Sequence, residues 1–164
     1  MENQNYKIDP GKDSTVKEYA RRFILNHFQT MFSHIEGIIE NKDPEHIHQF
    51  RVSGRRLRAV LKTFGSIFPK KETKVFISVI KELTTLTGKA RDLDVSILFL
   101  KDYIIDLPET DLKTIQTYLN EKQAERNRLQ PVIVDVLNSF LYSDFTYKFN
   151  RFFNRIQADV NMDE

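Results

Sequence analysis

Residues 43–69 read DPEHIHQFRVSGRRLRAVLKTFGSIFP, and this stretch decides the fold. Asp is a preferred N-cap and Pro suits the first helical position, so Asp43-Pro44 opens a helix. Pro69 disfavours helical backbone at the residue before it, which places the helix end near Ile67. At roughly 100° per residue the stretch resolves into two stripes. Phe50, Leu57, Leu61, Phe64 and Phe68 make an apolar stripe that faces a core. His48, Arg51, Arg55, Arg58 and Lys62 follow one another at spacings of 3, 4, 3 and 4. They form a ladder of cations roughly 120° from the apolar stripe, with one rung per roughly 5 Å of axis. Gly54 lies between the stripes, where a neighbouring backbone has room to approach. Arg56 projects toward Val52 and Ala59 and stands outside the ladder.

Helical periodicity recurs on both sides. Thr15-Val16-Lys17-Glu18 has the capping-box form. Val16, Ala20, Phe23, Ile24, Phe28, Met31, Ile35 and Ile38 follow at helical spacing, predicting one helix to about Glu40. A third helix over 71–87 carries Val75, Val79, Leu83 and Leu86, with Gly88 expected just past its end. Asp92 or Asp94 is expected to cap a fourth segment over 93–105, closed by Pro108. Thr110 or Asp111 opens a long stretch to about Leu141, with a kink expected at Pro131. A last amphipathic helix over 143–157 carries Phe145, Phe149, Phe152, Phe153 and Ile156. Residues 1–13 and 159–164 are expected to be tails around a single domain over 14–158. With no strand alternation or internal repeat, the expected fold is all-α. It is an up-and-down antiparallel helical bundle of four long helices plus a further C-terminal helix, with short connections.

Composition narrows the function. The chain has 164 residues, a length suited to one domain with its own core. It has no Cys, which removes disulfides, thiolate nucleophiles and Cys-ligated metals and suits a reduced cytoplasmic compartment. No apolar run approaches the roughly 20 residues of a membrane span. The opening MENQNYKIDPGKDS lacks the apolar core of a secretory signal. The net charge of +2 conceals an asymmetry. Residues 46–71 hold seven Lys/Arg and no acid, which leaves 18 Lys/Arg against 23 Asp/Glu, or −5, for the remainder.

A charge run on a helix is ordinarily a solvated face. Such faces usually mix signs, because opposite charges at i,i+4 contribute about 0.2–0.5 kcal/mol per pair. Every neighbour on this ladder has the same sign, and most rungs are Arg, which suits multidentate contacts to phosphate or carboxylate. Three readings remain open from these residues: an anion-binding face, a solvated charged face, or a ladder neutralised by acids on other helices.

The segment Gly88-Lys89-Ala90-Arg91-Asp92-Leu93-Asp94 adds two cations and two acids. Asp92 and Asp94 read as helix caps or as supports that orient an Arg, before any catalytic or metal role. Lys89 and Arg91 join the cationic face if this segment packs against the second helix. Among the histidines, His46 and His48 point in different directions on a helix. His27 and His34 are too far apart axially to share an ion, so no metal site is expected. His48 opens the ladder and could strengthen its grip on an anion as pH falls toward about 6.

The run His48-Gln49-Phe50-Arg51-Val52 with Arg55-Arg56-Leu57-Arg58 resembles the signature helix of the CHAD family, the conserved histidine α-helical domain. Ala90-Arg91-Asp92-Leu93-Asp94-Val95 resembles that family's second signature, and the likeness spans about Thr15 to about Ile156. The resemblance implies an all-α fold with a basic surface or channel, binding of inorganic polyphosphate without turnover, and a place at polyphosphate granules. The polyanion contacts it implies are His48, Arg51, Arg55, Arg58 and Lys62, with Lys89 and Arg91 as second-tier contacts. The family's full module pairs two similar bundles, often beside a CYTH triphosphate domain. This sequence carries the His/Arg helix once and no CYTH-like part. It therefore reads as half a module, which leaves a homodimer, a fragment or a weakly binding degenerate member as alternatives.

The expected function is non-enzymatic polyphosphate binding with no cofactor. Nucleic-acid backbone binding is the runner-up, disfavoured because Phe50, Phe64 and Phe68 lie on the apolar stripe and leave no stacking set among the cations. A metal-assisted phosphohydrolase using Asp92 and Asp94 is the third reading.

Overall fold

The computed structural model describes the backbone of residues 16–105 and 107–160, with side chains over that span except at positions 109, 110 and 155–160. The expected tail over 1–13, the Thr15 cap and the Ile156 side chain lie outside the described residues. Seven helices follow one another: α1 (Val16–Ser33), α2 (Ile35–Glu40), α3 (Glu45–Thr63), α4 (Lys70–Leu86), α5 (Gly88–Ile104), α6 (Glu109–Tyr142) and α7 (Phe145–Val160). No strand occurs among the described residues, and the fold is an all-α helical bundle.

The core forms where the apolar stripes meet. Phe50, Leu57 and Leu61 of α3 are fully buried beside Ile24, Phe28 and Met31 of α1. Phe76 of α4 lies edge-on to Phe145, Phe149 and Phe152 of α7, and Phe28 stacks on Phe149 with ring centroids 4.0 Å apart. Gly54 has no Cβ because one would stand 2.5 Å from Thr84 Cγ2 and 3.3 Å from Met31 Sδ, so α3 packs close against both α1 and α4 there. The near neighbours are side chains, where the sequence suggested a backbone.

Four boundaries differ from expectation. The first helix is interrupted at His34, where its ring meets that of His46 with Nδ1 atoms 3.2 Å apart. The His46 ring also lies over Gly37, so a Cβ there would collide with it. The second helix ends at Thr63, short of Ile67. Its start follows the Asp43-Pro44 signal, with the Glu45 N–H donating to Asp43 Oδ1 at 2.8 Å. Gly88 does not terminate α4 in a left-handed conformation; it is the first residue of α5. At the other end α7 continues to Val160, through the first two positions of the expected 159–164 tail, and the remaining four lie outside the described residues. Pro131 lies inside α6, which is assigned helical on both sides of it.

His34 gives the fold a pH dependence. Burial lowers its pKa below the ordinary 6.5, His46 lowers it further and Glu45 opposes both. His27 is lowered in the same direction, by burial and then by Arg56. A histidine held neutral in the fold takes up its proton more readily when unfolded. The contribution is therefore complete above pH 6.5 and is lost as pH falls below that value. Denaturation midpoints are expected to drop between pH 7.5 and 5.5, and a His27→Asn/His34→Asn protein should show a flatter profile. Equal slopes for the two proteins would refute this assignment.

Candidate functional site

The 3-4-3-4 spacing of the cations places them on one side of α3, and the short α4–α5 connection brings α5 against that side. A cleft of about 380 Å³ results, lined by Arg51, Arg55 and Arg58 of α3, Thr84 and Thr85 of α4, and Gly88, Lys89 and Asp92 at the α4–α5 junction. Larger recesses of about 570 and 680 Å³ lie between α4, α6 and α7, around Val75 and Phe76, away from the ladder.

Arg51 is the deepest rung. Its guanidinium donates to the Thr84 carbonyl. Gly88 makes space for it, because a Cβ at that position would stand 3.0 Å from Arg51 Nη1. Burial pushes the Arg51 pKa below its ordinary value, Asp92 opposes this, and Arg55, Arg58 and Arg91 push further down. The guanidinium keeps its charge regardless. The cations therefore share one electrostatic neighbourhood tempered by a single nearby carboxylate. Arg58 is half-buried, and its Nε is buried without a hydrogen-bond partner among the described residues. Leaving a buried charged donor unmatched costs upward of about 1–3 kcal/mol. Arg55 is exposed at the mouth.

The other residues singled out in the sequence fall around this centre. His48 is half-buried and Lys62 exposed; both extend the ladder on α3 without lining the cleft. Among the described residues, none of His48, Arg51, Arg55, Arg58 or Lys62 forms an ion pair. Lys89 lines the cleft but is bound at 2.8 Å by Glu125, whose carboxyl that lysine holds below the usual carboxylate range. Arg91 is half-buried on α5 and does not line the cleft.

Neither acid caps α5, because the helix begins at Gly88 and carries both within it. The backbone continues through 88–91 because Ala90 is fully buried and the Arg91 N–H reaches the Thr87 carbonyl at 3.1 Å. Asp92 lines the cleft, whereas Asp94 turns inward and accepts from Arg126 Nε at 2.7 Å. Arg126 also donates to Gln130 Oε1 and to Asn41 Oδ1, each at 3.0 Å, and Gln130 Nε2 donates to the Ile38 carbonyl at 2.7 Å. This network joins α2, α5 and α6. Asp94 thus acts as the Arg support that was one of its two sequence readings. Arg126 as its partner, the rest of the network, Thr84 and Thr85 were missed, and the Thr-Thr-Leu-Thr run before Gly88 was the available sign of a polar wall.

Fold and site together define an all-α bundle with an arginine-lined cleft between its helices. The family model of the CHAD domain matches residues 22–161, and the chain belongs to that family. No curated protein matches the chain. No helix among the described residues is long and apolar enough to cross a membrane.

Proposed function

We propose that this protein binds inorganic polyphosphate through the α3 ladder and does not hydrolyse it, with a homodimer completing the basic surface. The observation that carries the reading is the cleft itself. Three arginines converge on it without ion pairs among the described residues. Membership of a family associated with polyphosphate binding supports it. Arg51, Arg55 and Arg58 grip the chain at the cleft. His48 and Lys62 extend the track along α3, and Lys89 joins it where Glu125 releases its ammonium. Arg91 adds charge from one turn away. A homodimer fits because the cationic helix occurs once in this sequence.

The two other readings are less well supported. Phe50 and Phe68 are buried in the core and Phe64 packs against it, so the cationic face carries none of the aromatic platforms that single-stranded nucleic acid uses. Asp92 and Asp94 lie roughly 200° apart around α5, with Asp94 occupied by Arg126, so they do not converge as a carboxylate pair for hydrolysis. Calorimetric titration with long-chain polyphosphate at two salt concentrations tests the proposal. Binding should be present at low salt and weaken steeply at high salt, as counterion release requires. No binding at low salt, preference for single-stranded DNA in competition, or release of orthophosphate would each overturn it.

A further inference from the structure

The face of α5 turned away from the core is apolar. Ala90, Leu93, Ile97 and Leu100 point inward and are buried, whereas Val95, Leu98, Phe99 and Tyr103 are 49%, 47%, 65% and 50% exposed. Phe99 and Tyr103 stack on each other with centroids 6.0 Å apart and planes at 10°. On the inner side, Ile97 and Leu100 share a small cluster with Leu119 of α6, separate from the main core. The α5–α6 hairpin thus has one buried side here. A solvent-facing helix surface normally carries polar residues, and a contiguous apolar patch of this kind marks an interaction surface.

The charges on this face identify its occupant. Arg91, Val95, Leu98 and Asp102 are spaced 4, 3 and 4 and fall within an arc of about 60°. The stripe reads cation, apolar, apolar, anion. Neither Arg91 nor Asp102 forms an ion pair among the described residues. Such a stripe is complementary to itself when reversed. With a two-fold axis passing between Ser96 and Ile97, a second copy of α5 lies antiparallel to the first. Arg91 then faces Asp102 of the second copy and Val95 faces its Leu98, and symmetry repeats each pairing.

We infer that the outer face of α5 is the homodimer interface of this protein, formed by antiparallel contact with a second copy. This deepens the dimer invoked above by giving it a surface. It does not depend on the anion, so failure of this interface and failure of polyphosphate binding are separate results. The axis is perpendicular to the plane of the two helices. Both clefts, each at the N-terminal end of its α5, therefore open on the same side of the dimer.

Sedimentation velocity on the full chain without polyphosphate, over a concentration series, tests the inference. A dimer is expected, with Leu98→Glu and Phe99→Glu shifting it to monomer while the circular dichroism spectrum stays helical. Arg91→Glu and Asp102→Arg should each weaken association about tenfold through two symmetry-related pairs, and the combined R91E/D102R protein should recover most of that loss. A monomer throughout, including one whose α5 face binds a different protein, overturns the inference. So does a dimer indifferent to Leu98→Glu and Phe99→Glu, or a double reversal that merely sums the single ones.

Discussion

A protein carrying Arg55→Glu and Arg58→Glu is expected to bind polyphosphate at least about a hundredfold more weakly than the unaltered chain. Hydrogen bonds to charged groups contribute about 1.5–3 kcal/mol each, so losing two removes about 3 kcal/mol or more, and every 1.4 kcal/mol is tenfold. Both side chains line the cleft, and neither forms an ion pair among the described residues. The two glutamates also put negative charge where the anion must sit. The salt dependence should fall with the affinity, by about two in the log–log slope, because two fewer phosphates are neutralised. Arg56→Glu is the matched control: it makes the same change of charge on the same helix, but Arg56 lies outside the cleft lining. Arg56 acts instead on His27 of α1, so this control should retain most of the affinity. Equal losses in both proteins would mean that general charge, and not the cleft, holds the anion.

The cationic ladder was legible because it lies within one helix, where periodicity translates directly into a face. The same reasoning located the core stripe of Phe50, Leu57 and Leu61, all fully buried. What was not legible depends on contacts between helices. Asp92 and Asp94 read as caps or as supports for an Arg; the capping half fails because the helix starts at Gly88, with Ala90 buried, whereas Asp94 does hold an Arg. Gly88 looked like a helix terminator, but its small size instead admits the Arg51 guanidinium. The break at His34 has no local breaker in the sequence; it coincides with a ring contact to His46, 12 residues away. Arg126 lies 32 residues from Asp94, and no spacing rule connects positions on separate helices at that distance.

That last pair sets the largest stability effect expected here. Asp94→Ala or Arg126→Ala should each destabilise the fold by about 3–5 kcal/mol, because removing one member of a buried ion pair strands the other. Both side chains are under one-tenth exposed; without Arg126 the Asp94 carboxylate loses its donor, Oδ2 lacking one among the described residues, and without Asp94 the guanidinium keeps only the neutral acceptors Gln130 and Asn41. Losing Arg126 also strands Oδ1 of Asn41, itself the left-handed residue that ends α2. Domains of this kind are stable by about 5–15 kcal/mol in total, so urea unfolding should show a large drop in midpoint. Replacing both partners with apolar residues of similar volume, Asp94→Leu with Arg126→Met, should recover much of the loss, since the desolvation cost goes with the charges. A single substitution costing under about 1 kcal/mol would mean that the pair is effectively solvated. The consequence reaches the cleft as well. Arg126 ties α5 to α6 and α2 while Lys89 and Asp92 project from the first turns of α5, so the alanine variants should also weaken polyphosphate binding although neither residue lines the cleft. The apolar pair should restore stability and affinity together.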